Sequence, residues 1–257
     1  MSTAHSYTGL SAASYDLWFG GEDFEDVEFF RRAIGDGGEP ALEAACGTGR
    51  LLLPFVRGGL DVEGLDLSEE MLGICRRKAE AAGVRVILHH AAMESFSLER
   101  RYRTIFVPFG SFMLLGDVKK ARRALECFRA HLEEGGRVFI PLHLPWLHDV
   151  GVEPAPPGEW RLRRVASRPE DDAVVRCYEL VERDFDRQLQ HVRLRFEVVE
   201  AGEVTRTEAS SQTLRWYTQE EFAYLLREAG FSRVAALEAY TWDPAEDGSA
   251  NFLFVAS

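Results

Sequence analysis

Ala41-Leu42-Glu43-Ala44-Ala45-Cys46-Gly47-Thr48-Gly49-Arg50 is the stretch on which the fold turns. The apolar run from Pro40 to Cys46 reads as a strand, and the chain then bends sharply into LLLPFVRGG, a predicted helix. Two glycines in the bend let a ligand approach the backbone closely, at a place where a helix start offers free N–H groups. A dinucleotide-binding turn wants G-x-G-x-x-G, whereas Ala45, Gly47 and Gly49 give small-x-G-x-G. Glu43, just before the bend, suits a positively charged amino or sulfonium group better than a pyrophosphate.

DVEGLDL (Asp61 to Leu67) reads as a second strand that ends in Asp66, 17 residues after Gly49. A carboxylate at that point stands at the crevice above the carboxyl ends of the strands, where it can accept both hydroxyls of a ribose. Ser68-Glu69-Glu70 opens a helix through about Ala82, with Ser68 as N-cap and Met71, Leu72 and Cys75 as its apolar stripe. Val84 to His89, Thr104 to Phe109 and Arg137 to Leu142 read as further strands, with a helix from Val118 to Glu133 that Gly135-Gly136 stops. Upstream, residues 22–35 carry apolar residues at helical spacing, followed by a stop at Gly35, Gly37 and Gly38.

Residues 151–160, rich in Pro and Gly, read as a loop, after which the period becomes two. Ala173 to Trp216 then predicts three antiparallel strands, with turns at Asp186-Arg187 and Ala201-Gly202. TQEEFAYLLREAG is a helix with Thr218 as N-cap, Glu221 at the capping-box position and Gly230 as C′. Phe231 to Leu237 and Asn251 to Ala256 complete the sheet as a hairpin.

The expected fold is α/β and doubly wound: a mostly parallel seven-stranded, Rossmann-like sheet with a small antiparallel β insertion after the fifth strand and a helical N-terminal lid. The chain is expected to form a single domain over 1–257, with 1–35 as lid and 151–216 as insertion.

A chain of 257 residues, 46% hydrophobic and 28% charged, has enough apolar residues for its own core. Its 42 acidic against 30 basic residues, a net charge of -12, repel a phosphate backbone, so no nucleic-acid partner is expected. Cys46, Cys75, Cys127 and Cys177 lie far apart without zinc spacing, and the adjacent His89 and His90 point to opposite faces of a strand, so no metal site is expected. No apolar run reaches the length of a membrane span, and the N-terminus lacks a basic and an apolar signal region; the expected location is the cytoplasm.

ALEAACGTGR followed by DVEGLDLSEEMLGICRRKA resembles the first two motifs of the class I S-adenosylmethionine-dependent methyltransferases. The resemblance extends to IFVPFGSFMLL, LEEGGRVFIPLHLP and LRWYTQEEFAYLLREAGF, and it is nearest to the small-molecule branch that includes glycine N-methyltransferase and sugar N,N-dimethyltransferases. Tyr15-Asp16 matches the Tyr-Asp pair of that branch's N-terminal lid. The resemblance implies S-adenosylmethionine as cofactor, with Ala45, Cys46 and Gly47 facing its methionine part and Asp66 its ribose. It further implies Leu67 and Met71 beside the adenine, the Met93 N–H on the adenine ring, the Pro108 carbonyl on the methionine amino group, and Tyr15 closing from the lid. Ala92 departs from the family, which has an acidic residue there for the adenine amino group; Glu94 or Ser95 is the candidate substitute.

His143, past the fifth strand, is the candidate general base, and Tyr217 a second catalytic candidate. Trp18, Ser111, Phe112, Trp146 and Arg215 are candidates to contact the acceptor, although Phe112 fits the core equally well and Arg215 and Tyr217 also fit a sheet edge. The resemblance implies methyl transfer to a small molecule, an amine favoured over a hydroxyl or carboxylate, by a monomer or homodimer. A noncatalytic S-adenosylmethionine-binding protein and a nicotinamide-dependent oxidoreductase are the alternatives.

Overall fold

A computed structural model describes residues 7–20, 24–148 and 158–257. Two short helices, α1 (Gly9–Ala13) and α2 (Tyr15–Phe19), and the longer α3 (Glu25–Gly37) precede β1 (Ala41–Ala44). There follow α4 (Leu52–Arg57), β2 (Val62–Asp66), α5 (Glu69–Ala81), β3 (Leu88–His90) and β4 (Tyr102–Phe106). A 3-10 segment (Pro108–Leu115) leads to α6 (Val118–His131), β5 (Leu132–His143) and α7 (Pro145–His148). The antiparallel strands are β6 (Arg161–Ser167), β7 (Val174–Asp184), β8 (Leu189–Glu200) and β9 (Glu203–Arg215). The chain ends with α8 (Gln219–Glu228), β10 (Val234–Glu238) and β11 (Asn251–Ala256).

Seven strands form one sheet in the order β10-β11-β5-β4-β1-β2-β3, parallel except where β11 runs against both its neighbours. The doubly wound expectation therefore holds. Strand order reverses between β1 and β4, so their connections leave to opposite sides and open a crevice above their carboxyl ends. β1 is buried along its whole length, as a central parallel strand covered on both faces must be. Alternation along the strands feeds two cores: Leu42, Ile105 and Ile140 pack with α6 and α8 residues such as Phe128 and Phe222, while Phe106 and Phe139 pack on the other face with Phe30, Leu52 and Phe55.

Helix starts follow the expected chemistry in part. Ser68 Oγ accepts the Met71 N–H at 3.2 Å, and Thr218 Oγ1 accepts that of Glu221 at 3.2 Å. The Glu221 carboxylate does not close a capping box, because it turns to Arg215 and Gln188, at 2.9 and 2.8 Å. α3 runs through Gly35 and Gly37 and stops at Gly38, whose φ of 95° breaks the helix. β3 is shorter than expected, since residues 84–87 lie outside it, and β4 ends at Phe106 before a kinked 3-10 turn.

The insertion has four strands where three were expected, in the order β6-β7-β8-β9. The additional strand, β6, is rich in arginine, lies at the sheet edge, and carries a register shift between Leu162 and Arg164 that breaks its period of two. Of the loop expected at 151–160, residues 151–157 lie outside the described residues, as do 1–6 and 21–23 of the lid. Leu10 and Trp18 from the N-terminal helices pack on Cys177, Val192, Leu194 and Phe196, so these helices and the antiparallel sheet share a third apolar cluster. No helix among the described residues is long and apolar enough to cross a membrane.

Candidate active site

A cavity of about 1800 Å³ lies between the carboxyl ends of the parallel strands, the N-terminal helices and the inner face of the β6–β9 sheet. Its floor is the bend after β1. Ala45, Gly47 and Gly49 all have positive φ, of 65°, 54° and 81°. A Cβ on Gly49 would lie 2.6 Å from Cys75 Sγ and one on Gly47 3.2 Å from Met71 Cε, so the bend packs too closely for larger residues. Ala45 holds the same left-handed region without a glycine's freedom, at a cost of about 1–2 kcal/mol.

The bend and the end of β2 are one hydrogen-bonded unit. The Gly47 N–H donates to Asp66 Oδ2 and the Ser68 N–H to Asp66 Oδ1, both at 2.8 Å. Each carboxylate oxygen keeps a lone pair for a ligand. Burial raises the Asp66 pKa, and the N–H groups of Ser68, Gly47 and Leu67 oppose that shift. Leu67, Met71, Ala92 and Met93 continue this wall. Beside Ala92, Glu94 lines the cavity, 3.3 Å from the Lys120 ammonium, whereas Ser95 is exposed.

The N-terminal helices are tied to this wall. Asp16 accepts from Thr48 Oγ1 at 2.6 Å and from Lys78 Nζ at 2.8 Å. Tyr15 lines the cavity and packs on Phe19 and Tyr7. Trp18 also lines it, stacked on Phe196, with its buried indole N–H unpartnered among the described residues. A second latch is hidden: Arg50 grips Asp26 of α3 through two bonds of 2.9 and 2.5 Å, between the rings of Phe24 and Phe109. Sequence reading missed this pair, whose members lie 24 residues apart with no spacing rule to join them. Beneath it Glu43 is buried, with Oε2 unpartnered among the described residues. Burial pushes its carboxyl well above the ordinary range, and the Arg50 charge works against that shift.

Where β4 ends, Phe109, Gly110 and Ser111 form the wall. His143 also lines the cavity; a Cβ on Gly110 would lie 3.1 Å from its Nδ1, so the glycine makes room for the imidazole.

Besides Glu43 and Ser95, six expected residues do not reach the cavity wall. Cys46 is buried, its N–H donating to the Leu65 carbonyl and its own carbonyl accepting from Gly49. Pro108 is buried behind the Phe109–Ser111 wall. Phe112 belongs to the core, packed on Phe128, Tyr217 and Phe222. Tyr217 is 1% exposed and packs in the same aromatic group, its hydroxyl unpartnered among the described residues. Arg215 is spent on the Arg187 carbonyl, Gln188 and Glu221, tying the insertion to α8. Trp146 packs on Trp216 and Phe185. His89 and His90 have separate partners, Glu63 and the Leu67 carbonyl. Conversely, sequence reading missed the polar residues on the inner face of the antiparallel sheet, among them Glu179, Gln190, Ser210 and Gln212. Their period of two marks them as sharing a face, but not which face is covered.

Residues 41–136 match a family model described as a methyltransferase domain. The dTDP-3-amino-3,6-dideoxy-alpha-D-glucopyranose N,N-dimethyltransferase of Streptomyces fradiae is 34% identical over 146 residues, which are 54% of this chain and 54% of that protein. The match thus spans about half the length of that relative. The crystal structure of DesVI from Streptomyces venezuelae has a TM-score of 0.73 at 26% identity, covering 97% of this chain and 99% of the other. That of the CcbJ methyltransferase from Streptomyces caelestis has a TM-score of 0.77 at 21% identity, covering 99% and 98%.

Proposed function

We propose, from the premise that this chain is a class I S-adenosylmethionine-dependent methyltransferase in domain and fold, that it methylates the amino group of a small sugar-like acceptor. The observation that carries the cofactor part is the Gly47–Asp66 unit at the cavity wall. A carboxylate backed by two N–H groups, beside a bend whose glycine leaves the backbone bare, fits a ribose diol next to a cationic sulfonium. The acceptor part draws on the amino-sugar relative and on the polar inner face of the insertion.

When bound, S-adenosylmethionine supplies a methyl group made electrophilic by its sulfonium. The carboxylate of Asp66 holds the ribose hydroxyls, and the backbone from Ala45 to Gly47 faces the methionine part. Leu67 and Met71 flank the adenine, the Met93 N–H meets its ring, and Glu94 takes the amino-group contact that Ala92 lacks. Since Pro108, expected to meet the methionine amino group, does not reach the cavity wall, the backbone of Phe109 and Gly110 takes that contact instead. Tyr15 covers the site while Asp16 holds the lid shut and water out. His143 accepts the proton that the amine must lose, at an imidazole nitrogen, with Ser111 and Trp18 orienting the acceptor. Positioning supplies most of the acceleration, since in-line displacement by an amine needs little other help. The working unit is the single domain 1–257 in the cytoplasm, with 1–35 as lid and 151–216 as acceptor wall, acting as monomer or homodimer.

Incubation with S-adenosylmethionine and a panel of amino sugars, followed by mass spectrometry, tests this reading. It expects one or two methyl groups on the amine nitrogen. Methylation on oxygen would overturn the amine assignment, and tight binding of NAD without S-adenosylhomocysteine would overturn the whole.

A further inference from the structure

The segment that follows β3 is fastened to the residue at the end of β2. The Ala91 N–H donates to the Asp66 carbonyl at 3.1 Å, and the His90 ring bonds the Leu67 carbonyl at 3.0 Å. A nucleoside whose ribose is held by Asp66 therefore sends its base across Leu67 and Met71 toward residues 91–94, all of which line the cavity. Along that stretch Ala91, Ala92 and Met93 offer apolar side chains, and Glu94 offers a charge.

Glu94 does not stand alone. Its Oε1 lies 3.3 Å from the ammonium of Lys120, in the first turn of α6, and Lys120 lines the same cavity. The two side chains are only 14% and 29% exposed. Water competes little with a pair so enclosed, unlike the ion pairs of an open surface. Asp117, the carboxylate that caps α6, accepts the Lys119 N–H at 2.6 Å, which leaves Glu94 as the carboxylate within ion-pair distance of Lys120 among the described residues. A glutamate has three rotatable side-chain bonds, and freezing them opposes any contact it makes. Such a group discriminates between ligands only when a neighbour fixes its position.

We propose that Lys120 is a positioning residue for the base of the cofactor: it holds the Glu94 carboxylate where the adenine amino group arrives. Selectivity for an amino-bearing base is then set from α6 and not at the end of β3. The inference rests on the cofactor reading given above and adds to it a residue that touches no ligand itself. The stretch from Phe109 to Lys120 thereby serves both ends of the cofactor, since Phe109 and Gly110 wall its methionine end.

Calorimetry with S-adenosylhomocysteine and S-inosylhomocysteine tests the inference; the second ligand carries a carbonyl oxygen where the first has its amino group. The unaltered protein should prefer S-adenosylhomocysteine about 10- to 100-fold, because a carbonyl facing a carboxylate brings two acceptors together. Lys120→Met should cut that preference about 10-fold, and Lys120→Arg should restore most of it. Glu94→Gln should cut it similarly, since an amide can turn either its N–H or its oxygen to the base. Adding Lys120→Met to Glu94→Gln should cut it no further, as two residues acting through one contact require. Lys119→Met, exposed and off the cavity wall, removes the same charge and should leave the preference as it was. A role in stability alone would weaken both ligands equally and leave their ratio untouched in Lys120→Met, which would overturn the inference. So would a preference that rises in Lys120→Met, which would put the ammonium itself on the base, or equal binding of the two ligands by the unaltered protein. If the unaltered protein binds neither ligand, the cofactor reading falls and takes the inference with it.

Discussion

The two walls of the cavity are built from different material. On the parallel side the working groups are backbone: the bend after β1, held by Asp66 at the end of β2 and latched from beneath by a buried Arg50–Asp26 pair. On the antiparallel side they are side chains projecting from one face of a sheet, where a buried Glu179 meets two arginines that stay partly in water. A backbone site needs particular residues at fixed places, while a side-chain site can be rewritten strand by strand without disturbing the fold. The first wall therefore suits a constant cofactor and the second a variable acceptor.

The two walls differ most in their ion pairs. Asp26→Ala strands a buried guanidinium and should cost about 3–5 kcal/mol in a denaturant melt. Glu179→Gln, whose arginine partners are 25% and 38% exposed, should cost about 1 kcal/mol or less. Equal losses would erase the distinction between the walls.

Next in size is Glu43. A carboxyl with a raised folded-state pKa contributes stability that is complete below its ordinary value near 4.5 and is lost as pH rises through the raised one. Glu43→Gln escapes that loss, so it should stabilise the protein by about 1–3 kcal/mol at high pH and by little in acid, as thermal melts across pH would read. A gain independent of pH would contradict the burial account.

Ala45→Gly should add about 1 kcal/mol by releasing the left-handed alanine; an unchanged melting temperature would mean that the bend is unstrained. The smallest effect belongs to Tyr217→Phe. Its hydroxyl is unpartnered among the described residues and away from the cavity, so stability should move by less than about 0.5 kcal/mol and turnover not at all. A large drop in turnover would restore Tyr217 as a catalytic group.

What was legible in the sequence follows the same division. The bend, Asp66, the Ser68 cap and the strand–helix alternation could be read because backbone geometry restricts which residues can stand there. Phe112 and Ser111 show the limit: adjacent in the chain, one enters the aromatic core and the other the cavity, and only the packing of α6 and α8 decides between them. Strand β6 escaped because its arginines, which disguise it as a surface segment, face the cavity through a register shift. Arg215 looked like a site residue at a strand end, yet Glu221, expected to cap its own helix, draws it away.

The most direct test of the central claim is calorimetric titration of S-adenosylhomocysteine into the unaltered protein and into Asp66→Ala. A charge-assisted contact to the ribose predicts clear binding in the first and an affinity about 10- to 100-fold lower in the second. Equal affinities in the two proteins would contradict the claim that the end of β2 and the bend after β1 hold one nucleoside between them.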